Sequence, residues 1–226
     1  MGKRQDTRER IEAQIIELGR RHLVTEGAAG LSLRAIARDL GMVSSAVYRY
    51  VASRDELLTL LLVDAYTELA DAVDAAGAVE ATWRDRVHAM AHAARVWAVA
   101  HPARWALLYG SPVPGYRAPA ERTVGPGTRV VGALFDAVGA GIEAGEISKT
   151  EVVVPQPLSS DYDGVREEFD FSGDDSAVAK CFLLWAGLIG AISLEVFGQY
   201  GEDTLTDPAV AFDVQVKLLI EMLINS

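Results

Sequence analysis

The sequence predicts an all-α protein, and three observations support that fold class. Apolar residues recur at intervals of three and four along most of the chain, as Ile11, Ile15 and Leu18 do near its start. Serine and glycine residues stand where such segments would begin and end as helices. Alternation typical of strands is confined to one weak run, residues 151–154.

The elements follow in order from these boundary signals. Ser32 and Ser53 are placed to cap helices, and Gly27 and Gly41 are placed to end them. Residues 145–173 have no helical period and are predicted to form a long loop. The predicted helices span about 6–26, 33–40, 44–50, 54–76, 82–100, 102–109, 128–144, 175–199 and 207–224.

Charge is divided unevenly between two predicted domains, residues 1–54 and 55–226. The chain has a net charge of −11, but residues 1–54 hold ten basic residues against six acidic ones, and the remainder holds 11 against 26. Because salt screens charges beyond about 8–10 Å, a basic domain can bind an anionic partner while attached to an acidic one. A functionless asymmetry of surface charge is the alternative, and charge alone does not decide between them.

The composition is typical of a cytoplasmic protein. The single cysteine, Cys181, cannot form an internal disulfide, which suits a reducing compartment, and it is expected to pack in an apolar helix. The N-terminal residues lack the apolar core of a signal peptide. The longest uncharged apolar run, residues 181–194, is short for a membrane span and predicts a buried helix, so no membrane partner is expected.

Residues 31–58 contain the parts of a helix-turn-helix unit, in which a tight turn sets the second helix to enter the major groove of DNA. Gly41 opens the turn, Ala37 is small where the helices approach, and Leu33 and Val47 can supply a core. The outward residues, Ser44, Ser45, Tyr48, Arg49 and Tyr50, with Arg54 just beyond, are small, hydroxylated or basic. Such side chains suit contacts with the phosphates and base edges of double-stranded DNA.

The run LRAIARDLGMVSSAVYRYVASRDELL resembles the N-terminal domain of TetR-type transcriptional regulators. Their pattern is an I-A-x-x-x-G-V-S turn, an L-Y-x-H-F ending and then K-x-x-L-L, and the likeness covers residues 8–60. Positions that the family uses at DNA are matched by Ser32 and Arg34, by Ser44, Ser45 and Ala46, and by Tyr48, Tyr50 and Arg54. Among these, Tyr48 and Arg54 match phosphate-contacting positions.

The sequence departs from the family pattern at several of these positions. Val43 stands where a serine often begins the recognition helix, so helix capping is expected to shift to Ser44. Arg54 replaces lysine, and Tyr50 and Val51 replace the H-F pair. DNA binding is still expected, while base preference cannot be deduced. A helical domain with a chance likeness to this motif is the alternative.

The C-terminal half resembles the regulatory domain of one branch of the family, which carries a W-x-x-x-H-G-x-x-x-L-E signature. Trp185, Gly190, Leu194 and Glu195 match it, and Ile189 stands in place of the histidine. In the family, this half forms the dimer interface and encloses a small-molecule pocket. The resemblance implies a homodimeric regulator, most often a repressor that a small organic ligand releases from a palindromic operator, with no enzymatic activity and no cofactor.

Two C-terminal helices are apolar on nearly all sides, so each requires a cover on two faces. One face can pack inside the protomer, and the other faces are expected to form a two-fold four-helix interface. The residues expected there are Leu184, Leu188 and Ala191 on one helix and Val210, Val214 and Leu218 on the other. A monomer that holds both faces in its own core is the alternative.

Large aromatic residues on several helices are candidates for a ligand pocket, because aromatic walls with a few polar groups suit a small organic molecule. The candidates are Trp97, His101, Trp105, Tyr109, Phe135 and Trp185. His101 precedes Pro102 and can instead simply end a helix. For each aromatic residue, the alternative is an ordinary position in the hydrophobic core.

Asp85, His88 and His92 are spaced i, i+3 and i+7 on one predicted helix, and such a histidine pair with a nearby carboxylate can bind zinc. They are the basis of an alternative function, a metal-dependent enzyme or a metal sensor. They lie opposite the apolar stripe that contains Val87 and Met90, so a solvated face is the simpler interpretation and no metal is assigned. The sequence contains no catalytic motif that would support an enzyme.

Overall fold

A computed structural model describes residues 3–148, 150 and 152–224, and the regular structure of these residues is entirely helical. The predicted all-α fold class is therefore confirmed. The helices are α1 (Lys3–Gly30), α2 (Leu33–Asp39), α3 (Ser44–Val47), α4 (Arg54–Gly77), α5 (Trp83–Ala100), α6 (Pro102–Tyr109), α7 (Ala120–Glu143), α8 (Leu158–Glu168), α9 (Asp175–Val196) and α10 (Pro208–Ile224).

These helices form two compact units. The N-terminal unit comprises the described residues up to Glu68 together with His101–Gly127, and the C-terminal unit comprises Leu69–Ala100 and the described residues from Thr128 onward. Helices α4 and α7 contribute residues to both units. The predicted boundary after residue 54 falls within the N-terminal unit, so a functional division there stays a prediction.

The N-terminal unit is built around a core shared by α1, α2, α3 and α4. Ile15, Ile36, Val47 and Leu57 are fully buried in it, one from each helix. Helix α6 packs beside α1 and adds Leu107 at the edge of this core. Because each fully buried aliphatic side chain contributes roughly 1.5–3 kcal/mol, the core holds even the short α3 in place.

Several helix ends lie where the sequence predicts them, for the predicted reasons. Ser32 Oγ accepts a hydrogen bond from the backbone N–H of Ala35 at 3.4 Å, and Ser53 Oγ accepts one from Glu56 at 3.0 Å. Gly27 leaves the helical conformation near the end of α1, with φ 66° and ψ 173°. The positive φ is readily available only to glycine, which explains why the first regular helix stops there.

Helix α3 differs from its prediction. It comprises only Ser44–Val47, and the three residues that follow form a turn. Val43 occupies the N-cap position and supplies no side-chain hydrogen bond, so the expected shift of capping to Ser44 is wrong. Burial of Val47, rather than a cap, therefore fixes this helix.

Two further elements differ from their predictions. Helix α7 begins at Ala120 and continues through Pro126, although the sequence predicts its start near residue 128. The segment predicted as a loop, 145–173, contains α8. Tyr162 of α8 is buried, and its ring centroid lies 5.9 Å from that of Phe182 on α9. A tertiary contact, rather than local periodicity, stabilises this helix.

Helix α9 is long and apolar enough to cross a membrane by length and composition alone. Within the C-terminal unit it packs against α5, α8 and α10. A Cβ atom at Gly187 would lie 2.7 Å from Leu219 on α10, so this glycine permits the close approach of the two helices. Cys181 is fully buried in α9, and burial raises the pKa of its thiol to about 12.

Candidate DNA-binding surface and C-terminal sites

Helices α2 and α3 are joined through a tight turn at Gly41, whose φ of 66° is left-handed. The backbone N–H of Met42 donates to the carbonyl oxygen of Ala37 at 2.9 Å, and that of Gly41 donates to Arg38 at 3.0 Å. Ala37 and Val47 are buried below the turn. These contacts fix the second helix against the first, which is the helix-turn-helix geometry that the sequence predicts.

Most of the residues predicted to contact DNA have side chains that face away from the core of the helix-turn-helix. Arg34, Ser45, Tyr48 and Arg49 are exposed, and Ser32, Ser44, Ala46 and Tyr50 are half-buried. Tyr48 is 46% exposed, so its hydroxyl group is available to a phosphate. The Arg8 guanidinium lies 5.9 Å from the centre of the Tyr50 ring and braces it from α1.

Val43 is a surface feature to which the sequence analysis assigned no contact. It is 70% exposed at the N-terminal end of α3. A branched apolar side chain in that position suits contact with the C5-methyl group of thymine. The signal in the sequence was the replacement of the family's serine by valine.

Arg54, which is predicted to contact phosphate, also forms hydrogen bonds inside the N-terminal unit. Its Nε donates to the carbonyl oxygen of Leu31 at 3.2 Å, and one terminal nitrogen donates to Ala28 and Ala29 at 2.9 and 3.0 Å. These bonds satisfy carbonyl groups that follow the kink at Gly27. Arg54 therefore ties the start of α4 to the end of α1, which is a structural role.

Replacing Arg54 with methionine is expected to lower the free energy of unfolding by about 1–3 kcal/mol, because the carbonyl groups of Ala28 and Leu31 lose a charged donor. Chemical denaturation measures the change. Arg49→Met removes an exposed guanidinium and is the matched control, expected within about 0.5 kcal/mol of the unaltered protein. Unchanged stability of Arg54→Met together with weakened DNA binding would leave the predicted phosphate contact as the main role of Arg54.

A network of four charged side chains connects α1, α4 and α6 inside the N-terminal unit. Arg104 donates to Glu68 at 2.8 and 2.9 Å and to Asp64 at 3.1 Å. Arg20 donates to Asp64 at 2.6 and 2.9 Å, and this hydrogen bonding raises the pKa of Arg20. The sequence analysis missed the network, whose only local signal is the i, i+4 spacing of the two carboxylates on α4.

The predicted pocket residues of the N-terminal unit form part of an aromatic group. Trp105 is fully buried, and its ring centroid lies 4.5 Å from that of Tyr109. Burial raises the pKa of Tyr109, and the neighbouring Tyr66 adds to this shift. His101 occupies the N-cap position of α6, where its carbonyl oxygen accepts from the N–H of Trp105 at 2.9 Å. The helix-boundary alternative for His101 thus has direct support.

The remaining pocket candidates belong to the C-terminal unit. Phe135 packs against Phe169 and Phe171 at centroid distances of 4.9 and 5.0 Å, which supports the alternative of an ordinary core position. Trp97 is also buried. The Nε1 of Trp185 is buried and has no hydrogen-bond partner among the described residues. An unsatisfied indole N–H is costly, and an acceptor group on a bound molecule would satisfy it.

The predicted interface residues divide into two groups. Val210, Val214 and Leu218 of α10 are exposed, as an interface requires. Leu184 and Leu188 are buried inside the protomer, because the face of α9 that contains them packs within the C-terminal unit, so they cannot form the interface. Ala191 is half-buried. The exposed side of α9 consists instead of Leu183, Ala186, Gly190 and Leu194.

The predicted cluster of Asp85, His88 and His92 does not form. Asp85 instead pairs with Thr82 at the start of α5: its N–H donates to Thr82 Oγ1 at 3.1 Å, which caps the helix, and that hydroxyl donates to Asp85 Oδ2 at 2.6 Å. Asp213 of α10 takes the expected place of Asp85. Its Oδ1 lies 2.7 Å from Nε2 of His88 and 3.3 Å from Nε2 of His92.

The helix-turn-helix, its exposed hydroxyl and basic groups and the separate helical unit define a DNA-binding transcriptional regulator of the bacterial kind. The family described as bacterial regulatory proteins, tetR family, matches residues 15–61, and the tetracyclin repressor-like C-terminal domain matches residues 87–219. The chain belongs to the TetR family.

Individual relatives agree with this membership. The chain is 68% identical over 225 residues to the HTH-type transcriptional regulator Rv1816 of Mycobacterium tuberculosis, covering 99% of this chain and 96% of that protein. The same identity and coverage relate it to Mb1846 of Mycobacterium bovis. The solved structure of the putative regulatory protein SCO4313 has a TM-score of 0.79 and 34% identity, covering 97% of this chain and 100% of that one. Because the family and these relatives are regulators, the chain is not an enzyme.

Proposed function

We propose that the protein is a homodimeric repressor in the cytoplasm, which binds a palindromic operator and is released by a small organic ligand. The exposed face around α3 carries this proposal, because Ser45, Tyr48 and Arg49 reach solvent there while Val47 anchors the helix in the core. Two such faces related by a two-fold axis would read two half-sites about 34–36 Å apart, one turn of DNA.

The exposed faces of α9 and α10 support the dimer. Leu183 and Leu194 on α9 and Val214 and Leu218 on α10 are large apolar side chains with substantial exposure. Their spacing places them along one stripe of each helix, and Gly190 would allow a partner helix to come close. A second copy of the same surface covers such a patch in a closed, symmetric way.

Two groups of aromatic residues support the ligand. In the N-terminal unit, Trp105, Tyr109 and Tyr66 combine apolar surface with hydroxyl groups. In the C-terminal unit, the buried Nε1 of Trp185 lacks a partner among the described residues. Both suit a small organic molecule that brings hydrogen-bond acceptors. A coupling free energy of about 1–3 kcal/mol would change operator affinity by about 5–150-fold.

The first test is selection of binding sites from a random duplex library, followed by titration of the winning duplex across salt concentrations. The expected winner is palindromic, with an affinity that falls steeply with salt because several phosphates are contacted. The same duplex then serves as the probe in a ligand screen. Failure to enrich any site contradicts the repressor. An enriched site without two-fold symmetry contradicts the dimer.

Replacing Arg49 with glutamine is expected to weaken operator binding and to reduce the salt slope by about 1 for each protomer, because a phosphate contact is lost. Tyr48→Phe is expected to weaken binding equally at all duplex sequences, since its hydroxyl would contact phosphate. Arg117→Gln removes an exposed arginine from a loop after α6 and is the matched control. If Arg117→Gln and Arg49→Gln weakened operator binding equally, the cause would be the change in net charge rather than the loss of a direct contact between Arg49 and phosphate.

A further inference from the structure

We propose that His88, His92 and Asp213 form a binding site for a divalent transition-metal ion of the Zn²⁺ type, which joins α5 to α10. The two imidazoles lie one turn apart on α5, and the carboxylate comes from α10. The role is structural rather than catalytic, and the site lies in the C-terminal unit.

The geometry of the three ligand atoms carries the proposal. One ring nitrogen of His88, one ring nitrogen of His92 and a carboxylate oxygen of Asp213 all lie within 4.8 Å of one another. Zinc binds such atoms at about 2.0–2.2 Å in a tetrahedron, whose corners are then roughly 3.3 Å apart. The separations of 2.7 and 3.3 Å from Asp213 to the two histidines are therefore close to those that a bound ion requires. Small rotations of the side chains would complete the fit.

An unsatisfied atom points to the same site. Nε2 of His92 is buried and has no hydrogen-bond partner among the described residues, although Asp213 lies 3.3 Å away. Asp213 already accepts from His88 at 2.7 Å. A metal ion would engage both imidazoles and the carboxylate together, whereas hydrogen bonding leaves one imidazole nitrogen without a partner.

The surrounding charges allow a cation to bind. Zinc binds neutral imidazole and ionised carboxylate groups, so two histidines and one aspartate are ligands of the kind that the ion takes. Arg95 faces His92, but it forms a two-pronged ion pair with Glu195 at 2.5 and 2.7 Å. Lys217 is the competing cation, 2.7 Å from Asp213 and well exposed.

The probes are Zn²⁺ and Co²⁺, added as their chlorides to the full chain without a histidine tag. Isothermal titration calorimetry is expected to give one Zn²⁺ per chain, and bound Co²⁺ is expected to show the visible absorption of a four-coordinate site, with water as the fourth ligand. His88→Gln, His92→Gln and Asp213→Asn are each expected to weaken binding at least about tenfold. His22→Gln alters a second histidine–carboxylate pair, with Asp39, and is the matched control.

One surface variant keeps the test independent of folding defects. Lys217→Gln removes the competing ammonium group and leaves all three ligands in place, so Zn²⁺ affinity is expected to rise about two- to fivefold. Circular dichroism without metal checks that every variant is folded. Absence of saturable Zn²⁺ binding, or equal loss in His22→Gln and Asp213→Asn, overturns the proposal, as does weaker binding in Lys217→Gln.

Discussion

Replacing Leu183 with glutamate is expected to convert the protein into a monomer and to weaken operator binding on the order of 100-fold or more. Leu183 is 55% exposed on the outer side of α9, within the proposed interface. In a two-fold interface the new carboxylate appears twice, and each copy would have to be buried without a partner. A monomer then binds one half-site at a time and loses the gain in affinity that comes from binding two half-sites at once. Analytical ultracentrifugation and titration of the selected duplex measure the two effects.

A matched control separates the interface from a general effect of the added charge. Val79 is 79% exposed in the C-terminal unit, outside α9 and α10, and Val79→Glu is expected to leave the dimer intact. Leu184→Ala, by contrast, removes a fully buried side chain and is expected to destabilise the fold by about 2–5 kcal/mol. A Leu183→Glu protein that remains dimeric would place the interface on another surface.

Replacing Arg104 with methionine is expected to reduce the free energy of unfolding by roughly 3 kcal/mol. Its guanidinium is 7% exposed and contacts both Asp64 and Glu68, so its removal leaves two carboxylates beside the single charge of Arg20. Loss of one partner from a buried ion pair typically costs about 3–5 kcal/mol. The lower end applies here because Glu68 is 39% exposed and solvent screens part of its charge. Chemical denaturation measures the change, with one denaturant slope (m value) fitted to both the variant and the unaltered protein.

An exposed ion pair in the same unit provides the control for Arg104. Arg8 contacts Glu12 at 2.7 Å but is 58% exposed, so Arg8→Met is expected to cost less than about 1 kcal/mol. The double variant Arg104→Met, Glu68→Gln is expected to recover part of the loss, because one of the two carboxylates left beside Arg20 is neutralised. Equal stabilities of Arg8→Met and Arg104→Met would contradict the proposed energetic role of the network.

The parts of the fold that could be predicted from the sequence depend on local chemistry. Ser32 and Ser53 cap the helices that follow them, and Gly27 ends regular helix, because each acts on residues within one turn. Helix α8 could not be predicted, since its stability comes from contacts such as that of Tyr162 with Phe182. The early start of α7 was hidden because a proline such as Pro126 normally interrupts a helical pattern.

The candidate sites could likewise be predicted where local chemistry determines them, but not where contacts between distant parts of the chain do. Ser45 and Arg49 were predicted to face outward and are exposed, whereas Ser44, predicted with them, is half-buried. On α9 two of the residues predicted for an interface, Leu184 and Leu188, are buried inside the protomer, since a helix that is apolar all round gives no signal of which face its own unit covers. Asp213 could not be predicted beside His88, because 125 residues separate them in the chain. The nearer Asp85 was already used by Thr82.

The burial of Cys181 makes the chain convenient for spectroscopy. It is the only cysteine in the sequence, it has no exposed surface, and its thiol has a pKa of about 12. Because maleimide and nitroxide reagents attack accessible thiolates, the natural chain presents almost nothing for them to label. A cysteine introduced at Ser45 would then be the one reactive position in each protomer. In the proposed homodimer, a pair of spin labels there would report the separation of the two recognition helices directly, with and without a candidate ligand, and no native residue would have to be removed first.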